Sequence, residues 1–430
     1  MGVSPMAITG GAPVPQGKGT SMKQAQGMSV QLARAFSRRE FVAAAGAAGV
    51  AAAAAPAFAQ PPPAGPKIKV GVVGCGGRGK FIAGLLQKHG GYEIVALADY
   101  FQDRVDEAGE KFGVPAARRF TGLSGYKRLI DAKPDAVAVT TPPFFHPEQA
   151  AAAVGAGCHV YVAKPVAVDV PGCHSIEASG RQATAKRLCF LVDFQTRVNP
   201  FYQEAMRLVH AGAIGDFAFG EASYHCGRLG IHQPNEGAEG RIRNWVFDKA
   251  LSGDIITEQN VHALDVMSWV HQRPPLHAFG TGGRKVRVDV GDCWDTFTLH
   301  FQYPNQVGMA FSSRQFEGHG TAEGILCRMF GTKGVLETAY GGNVLIRGEN
   351  FYRGGATKQI YVEGATANVA AFHKAITEGD FANLTVAPSV QSNLVTLLGR
   401  KAAYTGKLVT WDEVVKDTER LDGRLEGLKA

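Results

Sequence analysis

Residues 67–79 read Lys67-Ile68-Lys69-Val70-Gly71-Val72-Val73-Gly74-Cys75-Gly76-Gly77-Arg78-Gly79, and this stretch decides the fold. Its first seven residues are short, β-branched and followed at once by glycine, which predicts a buried strand running into a turn. In that turn Gly74 permits the sharp reversal, Gly76 lets the backbone approach a diphosphate, and Gly79 lets the next helix pack closely on the sheet. The amides that open the helix then face the phosphates, with Cys75, Gly77 and Arg78 completing the cradle. Phe81, Ile82, Leu85 and Leu86 give the helix an apolar face, and a second strand, 94–98, ends at Asp99, twenty residues beyond Gly79. An acid at that place accepts hydrogen bonds from ribose hydroxyls and repels a 2′-phosphate. The pattern therefore predicts NAD, with NADP kept open by nearby Arg104.

The alternation continues with a helix over 123–131, a strand over 136–140, a helix over 147–155 and a strand over 159–162. Strands and helices taking turns predict a parallel sheet with right-handed crossovers, and ligands gather at the carboxyl ends of such strands. Thr140, Thr141 and Pro142 fall at one such end and Lys164-Pro165 at another, so both should line the nicotinamide end of the crevice. His146 either touches the cofactor or caps the helix that follows it.

From Asp193 onward, short alternating stretches at 218–224, 296–301, 308–313, 325–330 and 334–338 predict an open, largely antiparallel sheet with helices packed on it. The fold class is thus α/β: an N-terminal Rossmann domain over 67–192 and a C-terminal α+β substrate domain over 193–430. Helices over 368–376 and 391–404 complete the second domain. The polar stretch between Tyr224 and Phe247 is long for a compact domain and reads as a substrate lid, with Trp245 available to stack on a ligand ring and Arg243 beside it. The stretch 254–271 reads as one helix, on which Glu258, His262 and Asp265 share a face.

Hydrophobic residues make up 45% of the 430-residue chain, enough to build two cores. The formal net charge of +7 falls to +3 when the five basic and one acidic residues of 1–59 are set aside, too mild to indicate nucleic acid. The seven cysteines are scattered without a CxxC pair. Ser37-Arg38-Arg39-Glu40-Phe41-Val42 precedes an Ala-rich run and the small-x-small triplet Ala57-Phe58-Ala59, the order of a twin-arginine leader cut before Gln60. Residues 1–59 are therefore expected to be a signal peptide and 60–66 a linker. The mature protein is expected in the periplasm or outside the cell.

The glycine fingerprint, Asp99, Thr140-Thr141-Pro142 with His146, and Val162-Ala163-Lys164-Pro165 together resemble the glucose-fructose oxidoreductase, inositol dehydrogenase and MocA family. The likeness continues through Gln195, Arg197, Ser252-Gly253-Asp254, Glu258, His262 and Asp265. Arg243-Asn244-Trp245 and Glu258-Gln259-Asn260 resemble its secreted, twin-arginine-exported branch. The family usually has Glu-Lys-Pro where this chain has Ala163-Lys164-Pro165, and Asp where it has Glu258. The resemblance implies that Gln195 helps hold the cofactor and that Arg197, Arg243, Trp245, Lys164, Glu258 and His262 bind a sugar or polyol.

Oxidising a secondary alcohol requires a base for the hydroxyl proton while hydride leaves carbon for the nicotinamide. By resemblance His262 is the base, Lys164 donates to the same oxygen, and Glu258 orients His262 or binds a sugar hydroxyl. Glu258 and His262 have no third partner at metal-ligand spacing, so no metal is expected. Asp265 reads as structural, pairing with a nearby base. Export implies a tightly held cofactor that is recycled in place, by sugar–sugar oxidoreduction or by epimerisation or glycoside cleavage through a transient ketone. A non-catalytic sugar binder is the competing class. The expected assembly is a homo-oligomer, dimer or tetramer.

Overall fold

The computed structural model describes residues 65–430; the twin-arginine motif and cleavage site lie outside the described residues. Six parallel strands form the first sheet: β1 (Ile68–Val73), β2 (Tyr92–Asp99), β3 (Arg119–Thr121), β4 (Ala136–Val139), β5 (His159–Ala163) and β6 (Phe190–Asp193). Their order, β3-β2-β1-β4-β5-β6, reverses direction between β1 and β4, and the crevice at that switch point opens at the carboxyl ends of the strands. Five of the six β1 residues are buried, as expected of a strand covered on both faces. The helix Gly77–His89 follows at once and stops at Gly90, whose φ of 82° only glycine adopts freely.

The second sheet has nine strands: β7 (Phe217–Cys226), β8 (His277–Gly283), β9 (Thr296–Gln302), β10 (Gly308–Gln315), β11 (Gly324–Gly331), β12 (Gly334–Ala339), β13 (Asn343–Gly348), β14 (Tyr352–Ala356) and β15 (Val409–Thr410). Only β7 and β10 pair in parallel; every other neighbour is antiparallel. Inward residues such as Phe297, Leu299, Phe301, Met309 and Phe311 form one core with the helices Pro200–His210, Val261–His271 and Val386–Thr405. The strands alternate because one face meets these helices and the other faces out.

The division between the two halves is not linear in sequence. The helix Ile360–Glu378, expected to complete the second domain, instead packs Ala365, Val369 and Phe372 into the core of the first, against Ile82, Leu86 and Tyr92. A second difference lies at 254–271, which is two helices, Ile255–Glu258 and Val261–His271. The carbonyl of Ile255 accepts from both Gln259 and Asn260, each at 2.9 Å, and this extra residue breaks the ladder. Glu258 and His262 therefore do not share a helical face.

Candidate active site

Contacts at two positions of the glycine turn, Gly74 and Gly79, exclude any side chain. Gly74 has φ +92°, and a Cβ there would stand 2.7 Å from the Thr140 backbone; one on Gly79 would stand 1.7 Å from the Gly74 carbonyl oxygen. Gly77 has nothing within 4 Å of that position, and the nearest atom at Gly76 is Nη1 of Arg104 at 3.6 Å. No side chain caps the Gly77–His89 helix and no acid lies in its first turn. Its amide groups and the open glycine backbone thus fit a dinucleotide diphosphate.

A groove of ≈740 Å³ runs from Asp99 and Arg104 past Gly74, Gly76, Gly77 and Arg78 to Thr140, Thr141, Pro142 and Glu258. Asp99, at the end of β2, accepts from the amides of Cys75 (2.6 Å) and Phe101 (3.0 Å), and burial pushes its carboxyl up from the ordinary value against those bonds. Cys75 is itself buried, its thiol on the Ala98 carbonyl and its amide on Asp99, so it fastens the turn to the end of β2. Thr140 Oγ1 donates to the carbonyls of Val73 and Gly74, and Thr141 Oγ1 to Gln149. The Thr140 hydroxyl fastens the glycine turn and the Thr141 hydroxyl ties its segment to the helix that follows, while both residues line the groove.

His146 does not cap its helix. Its ring nitrogens lie 2.8 Å from the Pro165 and Thr141 carbonyls, burial pushes its pKa down to about 4, and the single N–H of the neutral ring donates to one of the two while the ring packs between both loops. It is the first residue of its helix, after Phe145 at the cap position.

At the far end of the groove, Lys164 Nζ donates to Glu258 Oε1 at 3.1 Å and to the Glu258 carbonyl. The carboxylate absent at Ala163 is thus supplied across the crevice, and Glu258 serves Lys164 rather than His262. Burial, with Lys164 and Arg78 nearby, holds the His262 imidazole well below its ordinary value. Nδ1 of His262 is sealed without a partner among the described residues, which leaves Nε2 as the nitrogen open to the site.

Arg78 leaves the glycine turn to pair with Asp193 at the end of β6, its guanidinium 5.3 Å from the Phe81 ring centre and 5.1 Å from that of Tyr361. Asp193, fully buried, also accepts from Asn368 at 2.7 Å and from Gln195 at 3.4 Å. Gln195 therefore sits beside this ion pair and not on the groove wall. The ring of Tyr340 lies 5.4 Å from that of His262. Asp193 and Tyr340 went unread in the sequence; for Asp193 a signal was present, an acid at the carboxyl end of a parallel strand.

Three expected sugar contacts lie elsewhere. Arg197 forms a bidentate pair with Asp265, which also accepts from Ser392, so Asp265 is structural as read and Arg197 is committed to it. Arg243 pairs with Asp103 at 3.0 Å over the Phe101 ring. Trp245 packs with Phe101, Ile242 and Leu251 and lines the adenosine end of the groove. The stretch 227–247 is partly helical (Gly237–Arg243) and walls the cofactor groove, because its apolar residues meet those that follow β2.

A glycine turn with open helix amides at the switch point, a buried acid at the end of β2, and a Lys164–Glu258 pair near His262 at the crevice end are the features of a dinucleotide-binding α/β protein. Residues 68–189 match the family model described as oxidoreductase family, NAD-binding Rossmann fold, and residues 202–337 match the GFO/IDH/MocA C-terminal domain. The chain belongs to the GFO/IDH/MocA family. Inositol 2-dehydrogenase 3 of Saccharopolyspora erythraea is 38% identical over 149 residues, 34% of this chain and 42% of that one. Glycosyl hydrolase family 109 protein 1 of Akkermansia muciniphila is 30% identical over 165 residues, 37% of this chain and 33% of that one. The chain thus spans between a third and a half of the length of these two relatives. The crystal structure of an oxidoreductase domain protein from Kribbella flavida superposes with a TM-score of 0.67 at 19% identity, over 80% of this chain and 99% of that one.

Proposed function

We propose that the protein is an exported, NAD-dependent oxidoreductase acting on a secondary alcohol of a sugar or polyol, and that the net reaction oxidises one sugar while reducing another in the same site. The observation that carries the reading is the Lys164–Glu258 pair beside a neutral His262, at the end of a groove built for a dinucleotide. Bound NAD supplies the hydride acceptor. Lys164, held by Glu258, donates a hydrogen bond to the substrate oxygen and stabilises its developing charge. His262, uncharged because it is buried between cations, receives the hydroxyl proton on Nε2. Tyr340 and Arg78 border the same space, whereas Arg197, Arg243 and Trp245 shape its surroundings.

Export follows from the Arg38-Arg39 leader, and outside the cytoplasm little free NAD is available for exchange. A tightly held cofactor and an internal redox cycle meet that constraint. The outward face of the second sheet, with Phe219, Phe279 and Leu326 exposed, suits a homo-oligomer interface.

A second reading, glycoside cleavage or epimerisation through a transient ketone, is favoured by the likeness to the glycosyl hydrolase family 109 protein. It uses the same first oxidation, after which the ketone acidifies the neighbouring C–H bond; for cleavage the aglycone leaves by elimination, water adds to the resulting double bond and the reduced cofactor returns its hydride to the ketone, and for epimerisation the hydride returns to the ketone directly.

Protein purified from the periplasm and then denatured is expected to release nicotinamide in near-equal amount. Incubation with a panel of sugars and glycosides, read by product mass, separates the two routes. Coupled redox gives one lactone or ketone with one reduced sugar, and cleavage gives a free aglycone with no net redox change. A protein that turns over only with added NAD contradicts the internal cycle.

A further inference from the structure

The adenosine end of the groove has two walls. One is built by Tyr100, Phe101 and Gly122-Leu123 of the first domain, the other by Gly230, Ile242, Arg243 and Trp245 of the excursion after β7. Direct ties between them are the packing of Phe101 with Ile242 and Trp245, the Arg243 guanidinium over the Phe101 ring, and two polar contacts, Arg243 to Asp103 and Tyr100 Oη donating to Glu239 at 2.9 Å. The two polar contacts involve exposed partners and contribute little by themselves.

Residues 421–430 join the two walls from behind. Towards the first domain, the Leu123 amide donates to the Lys429 carbonyl at 3.0 Å, the Lys429 amide to Tyr100 Oη at 3.2 Å and Lys429 Nζ to Thr121 Oγ1 at 2.9 Å. Towards the excursion, Arg241 donates to the Gly423 carbonyl at 2.6 Å and to Asp248 at 2.9 Å, and Arg424 donates to the same Asp248 carboxylate at 2.6 Å. That carboxylate is 4% exposed and its two arginines 20% and 51%, so the shared pair is buried on the Asp248 and Arg241 side and reaches solvent at Arg424. Leu425 and Leu428 fill the space between, against the cluster of Phe101, Ile242 and Leu251 with Leu123 and Trp245 at its edge. Most of those cluster residues also line the groove. The segment touches the outer side of both walls.

We propose that residues 421–430 form a clasp that holds the 227–247 excursion against the first domain and so keeps NAD from exchanging. The clasp rests on the NAD-dependent reading above and gives its tight cofactor a structural cause. For the adenosine to leave, the walls must part, and parting them detaches the leucines and the Arg241–Asp248–Arg424 group together. Retention is then set by the local opening of this segment.

The test uses full-length protein carrying the Leu425→Ala, Leu428→Ala double substitution, with Arg424→Ala as a milder second variant should the first fail to fold. Bound NAD is followed over time after removal of free NAD, by acid extraction. The clasp predicts that either variant releases NAD at least about tenfold faster than the natural protein, because affinity changes of this kind fall mainly on the off-rate. The same variant is expected to fill its site at saturating NAD and to keep its melting temperature within a few degrees. Equal release rates in the natural protein and a folded variant overturn the clasp and leave the NAD reading intact. A natural protein that neither carries NAD nor takes it up overturns both.

Discussion

Glu258 Oε1 lies 3.1 Å from Nζ of Lys164, across the crevice from the strand end that carries the lysine. The position before the lysine, Ala163, offers no charge, and Glu258 is one methylene longer than the aspartate usual in the family. The longer side chain delivers a carboxylate to the lysine from the opposite domain. The placement of Lys164 therefore depends on the two halves of the protein being correctly apposed.

Replacing Glu258 with Gln keeps the size and removes the charge. Turnover on the responsive sugar should fall at least about tenfold, the lower part of the range for acid–base groups, with NAD content unchanged. Steady-state kinetics beside nicotinamide extraction check this. Unchanged kcat means the pair is structural only.

His262 must be neutral to accept a proton, and its pKa is held below 6.5 by burial and two neighbouring cations. Alcohol oxidation by the natural protein should therefore stay on its plateau well below pH 6.5 and lose activity only as His262 finally protonates. His262→Ala should lower kcat about 10²-fold or more and abolish that acid limb. An acid limb unaltered in the variant assigns the titration elsewhere.

His146, at about 4, and His271, at about 3, are also buried in neutral form. Folded values below the unfolded value mean that the unfolded chain binds more protons between them. Their stabilising contribution is complete above about pH 6.5 and is lost progressively as pH falls towards 4 and then 3. The unfolding free energy should drop by about 1.4 kcal/mol per pH unit for each such histidine, and His146→Gln should remove one share of that slope. Urea denaturation at pH 7, 6, 5 and 4 measures it. An identical slope in the variant contradicts the assignment.

Asp193 balances Arg78 in a buried setting, so Asp193→Ala leaves a guanidinium without its counter-charge and should cost about 3 kcal/mol. Gly79→Ala acts differently, since its methyl group would meet the Gly74 carbonyl at 1.7 Å. That variant should lose NAD binding through distortion of the cradle. Thermal melts with and without added NAD distinguish the two, because only the Asp193 variant should still gain stability from NAD.

Four strands of the first sheet, β1, β2, β4 and β5, were legible because they are apolar runs and the first turn demands glycine at Gly74 and Gly79, whereas β3, the three residues Arg119–Thr121, and β6, Phe190–Asp193, were too short to be read. The five strands read in the second half also held, their alternation following from a sheet with one covered face. What escaped notice depends on partners distant in sequence. The helix Ile360–Glu378 has an apolar face that suits either core, and nothing local says that it joins Ile82 and Leu86. The break after Glu258 comes from one extra residue in a hydrogen-bond ladder, invisible to a periodicity argument. Arg197, Arg243 and Trp245 looked like ligand residues by type, but their partners Asp265, Asp103 and Phe101 lie between 68 and 144 positions away. Position in the chain therefore could not reveal that they are spoken for.

The central claim is that a dinucleotide lies along the groove with its diphosphate on the amides of residues 76–79 and its nicotinamide end towards Lys164 and His262. A crystal structure of the protein grown with saturating NAD tests it most directly. The account predicts density for the diphosphate over Gly76 and Gly77, ribose hydroxyls at Asp99, and the nicotinamide ring beside the Lys164–Glu258 pair. A groove with no dinucleotide at that concentration, or one that binds it with the ring turned away from Lys164, contradicts the account.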